Sequence, residues 1–137
     1  MIKEFELEVV HPDGDVRWAA VLDYQEIEAG QLELCAGSDR VTKENIIRIL
    51  FEYPLSKSVT KTFQSQAGFT RRDILRCIYE GYSEIYAAEP DPGLIEGTEN
   101  RARSKGPYGI WGHYINDLVV ESVEQPELGF FVPFIGS

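Results

Sequence analysis

One stretch with the period of an amphipathic helix most constrains what this chain can fold into. Apolar residues recur every three or four positions between Ile74 and Ile85, so that they share one face. Thr70 and Asp73 stand ahead of this stretch with the spacing of a short capping box, and a proline follows its end. The sequence therefore predicts one principal helix at about 71–88.

Short segments on both sides of this helix alternate in polarity or are rich in β-branched and aromatic residues, which is typical of strands. We expect strands at about 2–10, 16–22, 31–35, 45–53, 59–64 and 128–135. After the loop we expect a short turn or helix near 113–117, an ordered apolar segment at 118–123 and a turn at 125–127. The predicted fold is α+β, with a mainly antiparallel sheet of five to seven strands packed against the principal helix. Residues 1–137 are expected to form a single globular domain, with a long loop at about 89–108 that shows no periodicity.

Composition excludes several classes of protein. No stretch approaches the roughly 20 apolar residues of a membrane span, and the first residues lack the apolar core of a signal peptide. We therefore expect a soluble protein of the cytoplasm or nucleus. Cys35 and Cys77 match no metal-binding spacing and are interpreted as reduced thiols in or near the core, with a disulfide as the alternative. No metal and no cofactor are predicted.

Charge is unevenly distributed along the chain. The net charge of −10 disfavours nucleic acid, whose backbone is recognised by a basic face. Residues 77–100 carry six acids and no base, whereas residues 101–105 carry three bases and no acid. This pattern leaves room for a local site that binds a small anion or an acidic segment of a protein partner.

Residues 106–113, Gly-Pro-Tyr-Gly-Ile-Trp-Gly-His, form the most distinctive segment. Its glycines permit tight turns and close approach by a ligand, while Tyr108 and Trp111 offer flat apolar surface with polar tips. His113 adds a group that titrates near neutral pH. The alternative interpretation is a structural loop held to the core by Trp111, with His113 bonded to the backbone.

Five basic residues belong to the same hypothesis: Arg71, Arg72, Arg101, Arg103 and Lys105. Two arginines in the first turn of a helix oppose the helix dipole, which favours an anion there. If the loop folds over the helix start, these bases and the segment 106–113 would form one anion-binding pocket. The alternative is that the arginines are solvated and paired with surface acids.

Four runs of residues carry a resemblance to a known family. They are Phe-Glu-Tyr-Pro-Leu-Ser-Lys at 51–57, Gly-Phe-Thr-Arg-Arg-Asp at 68–73, Ile-Tyr-Glu-Gly-Tyr at 78–82 and the segment 106–113. The chain resembles, over roughly residues 50–135, an uncharacterised family of eukaryotes and of large DNA viruses that infect protists. This resemblance implies no activity, cofactor or catalytic residue.

The preferred hypothesis is a non-catalytic binding module that recognises a protein partner or small anion through the loop 101–113 and the helix start at 71–72. An alternative is a small hydrolase or transferase that uses His113 with Asp117, although no nucleophile is marked by a motif. Another alternative is a structural or virion-associated protein. The apolar segment 128–135 either completes the sheet or pairs with a second copy in a homodimer.

Overall fold

The computed structural model describes residues 3–137. Its helices are α1 (Asp23–Glu28) and α2 (Arg71–Ala87), with a short 3-10 helix at Ile115–Asp117. Its strands are β1 (Lys3–Phe5), β2 (Glu8–Val10), β3 (Val16–Trp18), β4 (Glu33–Leu34), β5 (Arg40–Thr42), β6 (Ile46–Phe51), β7 (Val59–Gln64), β8 (Phe69–Thr70), β9 (Val119–Glu127) and β10 (Phe130–Gly136).

Five strands form the main sheet in the order β1-β9-β10-β6-β7. Neighbours are antiparallel except for β10 and β6, which run parallel. Two small sheets, β3-β2-β4 and β5-β8, flank it. The α+β fold class, with a mainly antiparallel sheet and one principal helix, is therefore confirmed, although the sheet is mixed rather than purely antiparallel.

Helix α2 matches the predicted segment and covers one face of the main sheet. The Asp73 N–H donates to Thr70 Oγ1 at 3.2 Å, and the Thr70 N–H donates to Asp73 Oδ2 at 2.9 Å, so the capping box is complete. The ring of Phe51 packs edge-on against Tyr82 with centroids 5.0 Å apart. Gly81 makes this contact possible, because a Cβ there would lie 2.1 Å from the Phe51 ring.

The strand predicted at 2–10 is wrong as a single element; Ile2 itself lies outside the described residues. β1 joins the main sheet, whereas β2 pairs with β3 and β4 in a separate sheet. Between them, the carbonyl oxygen of the buried Leu7 accepts a hydrogen bond from the Ala19 N–H at 2.7 Å. The alternation of apolar residues survives because the chain remains extended while it changes sheets.

The predicted turn at 125–127 is also wrong, since β9 continues to Glu127 and the turn lies at 128–129. Among the described residues, the pairing of β9 with β1 ends at Gln125, before Pro126, and the register between β9 and β10 shifts beside this proline. A register shift of this kind is a place where a sheet accommodates the missing N–H of a proline. The strands predicted at 16–22 and 31–35 are real but shorter, and the six-residue α1 was not predicted.

Strand β10 lies between β9 and β6, so the apolar segment near the end of the sequence completes the sheet. A homodimer through residues 128–135 stays a prediction. Both cysteines are free thiols. Burial raises the pKa of the Cys77 thiol to about 12, which keeps it protonated and unreactive at neutral pH. Within residues 3–137, α2 is the longest helix, and no helix has the length and apolar character of a membrane span.

Candidate functional site

The long loop at residues 89–114 packs against the end of α2 and the turn at 53–57. The Tyr86 hydroxyl, in the last turn of α2, donates to the carbonyl oxygen of His113 at 2.9 Å. The backbone N–H of Trp111 donates to the Pro54 carbonyl at 3.0 Å, and the backbone N–H of Ser56 donates to the Tyr108 carbonyl at 3.0 Å. These bonds tie the end of the loop to two separate elements.

A buried carboxylate holds the middle of the loop. Glu89 Oε1 accepts hydrogen bonds from the Ser104 hydroxyl at 2.7 Å and from the Gly109 N–H at 2.7 Å. A longer contact of 3.4 Å joins it to the Ile110 N–H. Gly106 lies against the other oxygen, where a Cβ would stand 1.3 Å from Oε2. Glu89 and Gly106 therefore fix the loop together: one supplies the acceptor and the other supplies the space for it.

Arg101 is the second buried charged residue of the loop, and like Glu89 it forms no ion pair within residues 3–137. Its side chain is 2% exposed, and one guanidinium N–H donates to the Ile110 carbonyl at 3.0 Å. The guanidinium carbon lies 5.6 Å from the ring centroid of Tyr86 and 5.5 Å from that of Tyr114. Within residues 3–137, Arg101 forms no ion pair, and its Nε has no hydrogen-bond partner.

Arg101 lines a cleft of about 370 Å³, which we name the loop cleft. Arg103 lines it as well, and its guanidinium donates to the Ser56 hydroxyl oxygen. Trp111 forms an apolar part of the wall and is 41% exposed. The complete lining is Ile95, Asn100, Arg101, Arg103, Trp111, Gly112 and His113.

Four residues singled out from the sequence therefore meet in one cleft: Arg101, Arg103, Trp111 and His113. Two others lie on the same loop outside the lining. Lys105 is exposed to solvent, and Tyr108 packs in part against the hydrophobic core. Gly112, one of the glycines expected to permit close approach by a ligand, also belongs to the lining. Sequence reasoning missed Ile95 and Asn100, since nothing in an aperiodic stretch indicates which polar or apolar side chain turns toward a cleft.

Arg71 and Arg72 do not join this cleft, because the loop packs on the end of α2 and not on its start. The 17 residues of α2 separate the two sites by about 25 Å. Arg71 is occupied locally: it donates to the Glu6 carbonyl at 2.6 Å and lies 5.2 Å from the ring centroid of Phe5. The single pocket expected from all five bases is therefore not formed.

The start of α2 also lacks free donors for an anion. The N–H groups of Arg71 and Arg72 donate to the carbonyl oxygens of Asp39 at 3.0 Å and Gly37 at 3.1 Å. The third N–H of the helix donates to the capping Thr70, as described above. Protein oxygens thus satisfy the first-turn donors and offset the unfavourable placement of two arginines there.

His113 lies between a hydroxyl and a carboxylate. Its Nε2 is 3.0 Å from Ser137 Oγ, which also contacts the Tyr53 hydroxyl at 2.9 Å. Its Nδ1 is 3.7 Å from Asp117 Oδ2, and this oxygen accepts a hydrogen bond from the Tyr114 N–H at 3.1 Å. Ser137 was not singled out from the sequence, because no motif marks it.

A hydrogen bond between Tyr114 and Asp91 joins the two ends of the loop. The Tyr114 hydroxyl donates to Asp91 Oδ1 at 2.9 Å, which raises the pKa of Tyr114. The Gly93 N–H, followed by Tyr114 and then by the charge of Arg101, lowers the pKa of Asp91. The carboxylate is therefore ionised at neutral pH near Arg101, although it forms no ion pair with it.

Within the described part of the chain, no group of three or more His, Cys, Asp or Glu side chains is arranged to hold a metal ion. A comparison with protein-family models finds no match, and neither do comparisons with curated proteins and with solved structures. The resemblance to the family of eukaryotes and protist viruses therefore stays a prediction.

Proposed function

We propose that the protein is a non-catalytic binding module and that the loop cleft receives an anionic group. The observation that carries this proposal is Arg101, which is 2% exposed and has neither an ion pair within residues 3–137 nor a partner for its Nε. A buried charge of this kind is stable only when another group offsets the loss of its hydration.

In this structure, the rings of Tyr86 and Tyr114 and one carbonyl oxygen offset part of that cost. A carboxylate or phosphate oxygen in the cleft would supply the rest, since bonds between a guanidinium and an anion are among the strongest hydrogen bonds in proteins. Arg103 and Asn100 line the same cleft and add further donors. The loop therefore supplies the donors for an anion without any contribution from Arg71 or Arg72.

Titration with inorganic phosphate, sulfate and acetate at low ionic strength tests this proposal. Trp111 reports binding by its fluorescence once the other tryptophan is removed by Trp18→Phe; Trp18 lies on β3, outside the cleft lining. We expect saturable binding of at least one anion and an affinity about tenfold lower in Arg103→Gln. Arg72→Gln is the matched control and should bind like the parent. Absence of saturable binding by all three anions would contradict the proposal.

Hydrolysis is the second candidate function, and the contact of 3.0 Å between Ser137 Oγ and His113 Nε2 favours it. In such a reaction, His113 would take the hydroxyl proton as Ser137 attacks an acyl carbon and would return it to the leaving group as the acyl bond breaks; water would then hydrolyse the acyl-serine, while Asp117 orients the imidazole. The distance of 3.7 Å between His113 and Asp117 is too long for a hydrogen bond, and Asp117 already accepts from the Tyr114 N–H. The geometry therefore supports binding better than catalysis.

Hydrolysis of p-nitrophenyl acetate separates these two functions. As a binding module, the protein should show the same slow rate before and after Ser137→Ala and His113→Gln, with His11→Gln as the matched control. A loss of 100-fold or more in Ser137→Ala and His113→Gln, but not in His11→Gln, would establish the hydrolase instead.

A homodimer through residues 128–135 is a separate prediction, supported by the exposed side chains of Leu128 and Phe134. Sedimentation velocity across a range of concentrations tests it, and a species of monomer mass throughout would contradict it. A structural or virion-associated role has no specific observation in its favour.

A further inference from the structure

Exposed apolar side chains surround the charged groups of the loop cleft. Ile95 and Trp111 belong to its lining and are 48% and 41% exposed. Leu94, next to Ile95 in the chain, is 53% exposed. Large apolar side chains that stay open to water beside a polar site mark surfaces that bind other molecules.

Trp111 is held in place before any ligand arrives. The ring of Tyr53 meets it edge-on, with centroids 5.2 Å apart and an angle of 87°. The backbone N–H of Trp111 donates to the Pro54 carbonyl at 3.0 Å, which fixes the main chain that carries the ring. A rigid aromatic side chain loses little conformational entropy on binding, so the apolar wall is suited to contribute affinity.

The charge of the whole chain restricts what such a cleft can take. With a net charge of −10, the protein repels a polyanion such as a nucleic acid strand over long range. A ligand with one anionic group loses much less to this repulsion. It also gains from Ile95 and Trp111 if an apolar group stands next to the anion.

We propose, building on the anion-binding function above, that the ligand is a short segment of a partner protein with one carboxylate beside apolar side chains. The carboxylate contacts Arg101 and Arg103, while a neighbouring apolar side chain packs on Ile95 and Trp111. The cleft volume of about 370 Å³ is near the lower end of ligand sites, so it receives a few side chains and not a folded element. The carboxylate belongs either to an internal acidic residue or to a chain terminus.

Peptides of matched length test this inference in the Trp18→Phe protein. The parent peptide is acetyl-Gly-Leu-Glu-Leu-Gly-amide. One control replaces Glu by Gln, a second replaces both Leu by Gly, and a third carries its carboxylate at a free terminus next to leucine. Acetate, phosphate and adenosine monophosphate are titrated in parallel. We expect the parent or the free-terminus peptide to bind at least tenfold more tightly than acetate and than either of the first two controls; either carboxylate source supports the inference.

Variants of the protein locate the effect. Ile95→Ser should reduce the ratio of affinities between the leucine peptide and the glycine peptide by about fivefold or more, because it removes part of the apolar wall on which a leucine side chain would pack. Val16→Ser removes an equally exposed apolar side chain on β3 and should leave this ratio unchanged.

The outcomes are distinct. Acetate or phosphate binding with equal affinity for the leucine and glycine peptides would overturn the peptide inference and leave the anion site standing. Binding of adenosine monophosphate more tightly than any peptide would overturn it in favour of a small nucleotide. Failure of every ligand to bind would overturn both the inference and the proposed function.

Discussion

The arginines at the start of α2 and Arg101, in the loop beyond its end, lie in contrasting surroundings. At the start, Arg71 donates to the Glu6 carbonyl, and the first backbone N–H groups are bonded to Asp39 and Gly37. Beyond the end, Arg101 is almost fully buried in the loop, and its Nε remains without a partner. Protein oxygens satisfy the donors at the start of the helix, whereas the loop keeps a buried guanidinium whose Nε has no partner among the described residues.

This difference shows why a count of bases does not reveal which of them is buried without an ion pair. The sequence places as many basic residues at 71, 72 and 76 as at 101, 103 and 105. Arg76 is paired with Glu80 at 3.4 Å, Arg71 donates to the Glu6 carbonyl at 2.6 Å, and Arg72 is exposed to solvent. What distinguishes the second group is Arg101, which is buried and forms no ion pair within the described residues, whereas Arg103 and Lys105 are exposed. Only the folded structure reveals this burial.

Among the variants that test this contrast, Glu89→Ala should lower the stability most. Glu89→Ala removes the acceptor of the Ser104 hydroxyl and the Gly109 N–H, so two strong hydrogen bonds are lost in a buried place. We expect the free energy of unfolding in urea to fall by about 3 kcal/mol and the loop to become sensitive to protease. Glu84→Ala, which removes only an exposed partner of Lys61, should cost less than about 1 kcal/mol. Equal effects of the two variants would show that Glu89 does not hold the loop.

Gly106 and Gly37 form a pair of glycines with contrasting surroundings, one at each end of α2. In Gly106→Ala, the new Cβ would overlap Glu89 Oε2 at 1.3 Å, whereas in Gly37→Ala the nearest atom is the Leu34 carbonyl oxygen at 3.2 Å. We expect a loss of about 2 kcal/mol for Gly106→Ala and less than about 1 kcal/mol for Gly37→Ala, measured by urea unfolding. A Gly106→Ala protein as stable as the parent would mean that the Glu89 side chain is not confined as described.

The smallest effect concerns the cap at the helix start. Thr70→Ala removes the hydroxyl that accepts from the Asp73 N–H and should lower the stability by about 1 kcal/mol. Because the loop cleft lies at the other end of α2, the affinity for phosphate or acetate should not change. A change of more than threefold would contradict the separation of the two ends.

The parts of the fold that local interactions determine could be predicted from the sequence. The capping box and the apolar stripe of α2 lie within one continuous segment, and the β6–β7 hairpin joins neighbours in the chain. The parallel pairing of β10 with β6 could not be predicted, because it joins segments about 80 residues apart whose own patterns do not specify a partner. The change of sheet between β1 and β2 could not be predicted for the same reason, since the pattern of each strand does not specify its partner.

The candidate site, like the fold, could be predicted only in part. Arg101, Arg103, Trp111 and His113 lie within 13 consecutive residues, so their grouping in one cleft followed from their place on one loop. Contacts with the turn at 53–57 decide which end of α2 the loop crosses. The local sequence pattern does not indicate these contacts. In the sequence, nothing separates Glu89 from the surface acids of this acidic chain. Its burial depends on donors 15 and 20 residues away, which a local pattern does not indicate.

Nuclear magnetic resonance of the arginine side chains tests the central claim most directly. The Nε–H signals of Arg101 and Arg72 are followed together, below neutral pH, while phosphate or acetate is added to the intact protein. We predict a saturable shift of the Arg101 signal, with the same midpoint as the Trp111 fluorescence change, and an Arg72 signal that moves only slightly and without saturation. An Arg101 signal that stays fixed, or that moves in proportion to that of Arg72, would contradict the account.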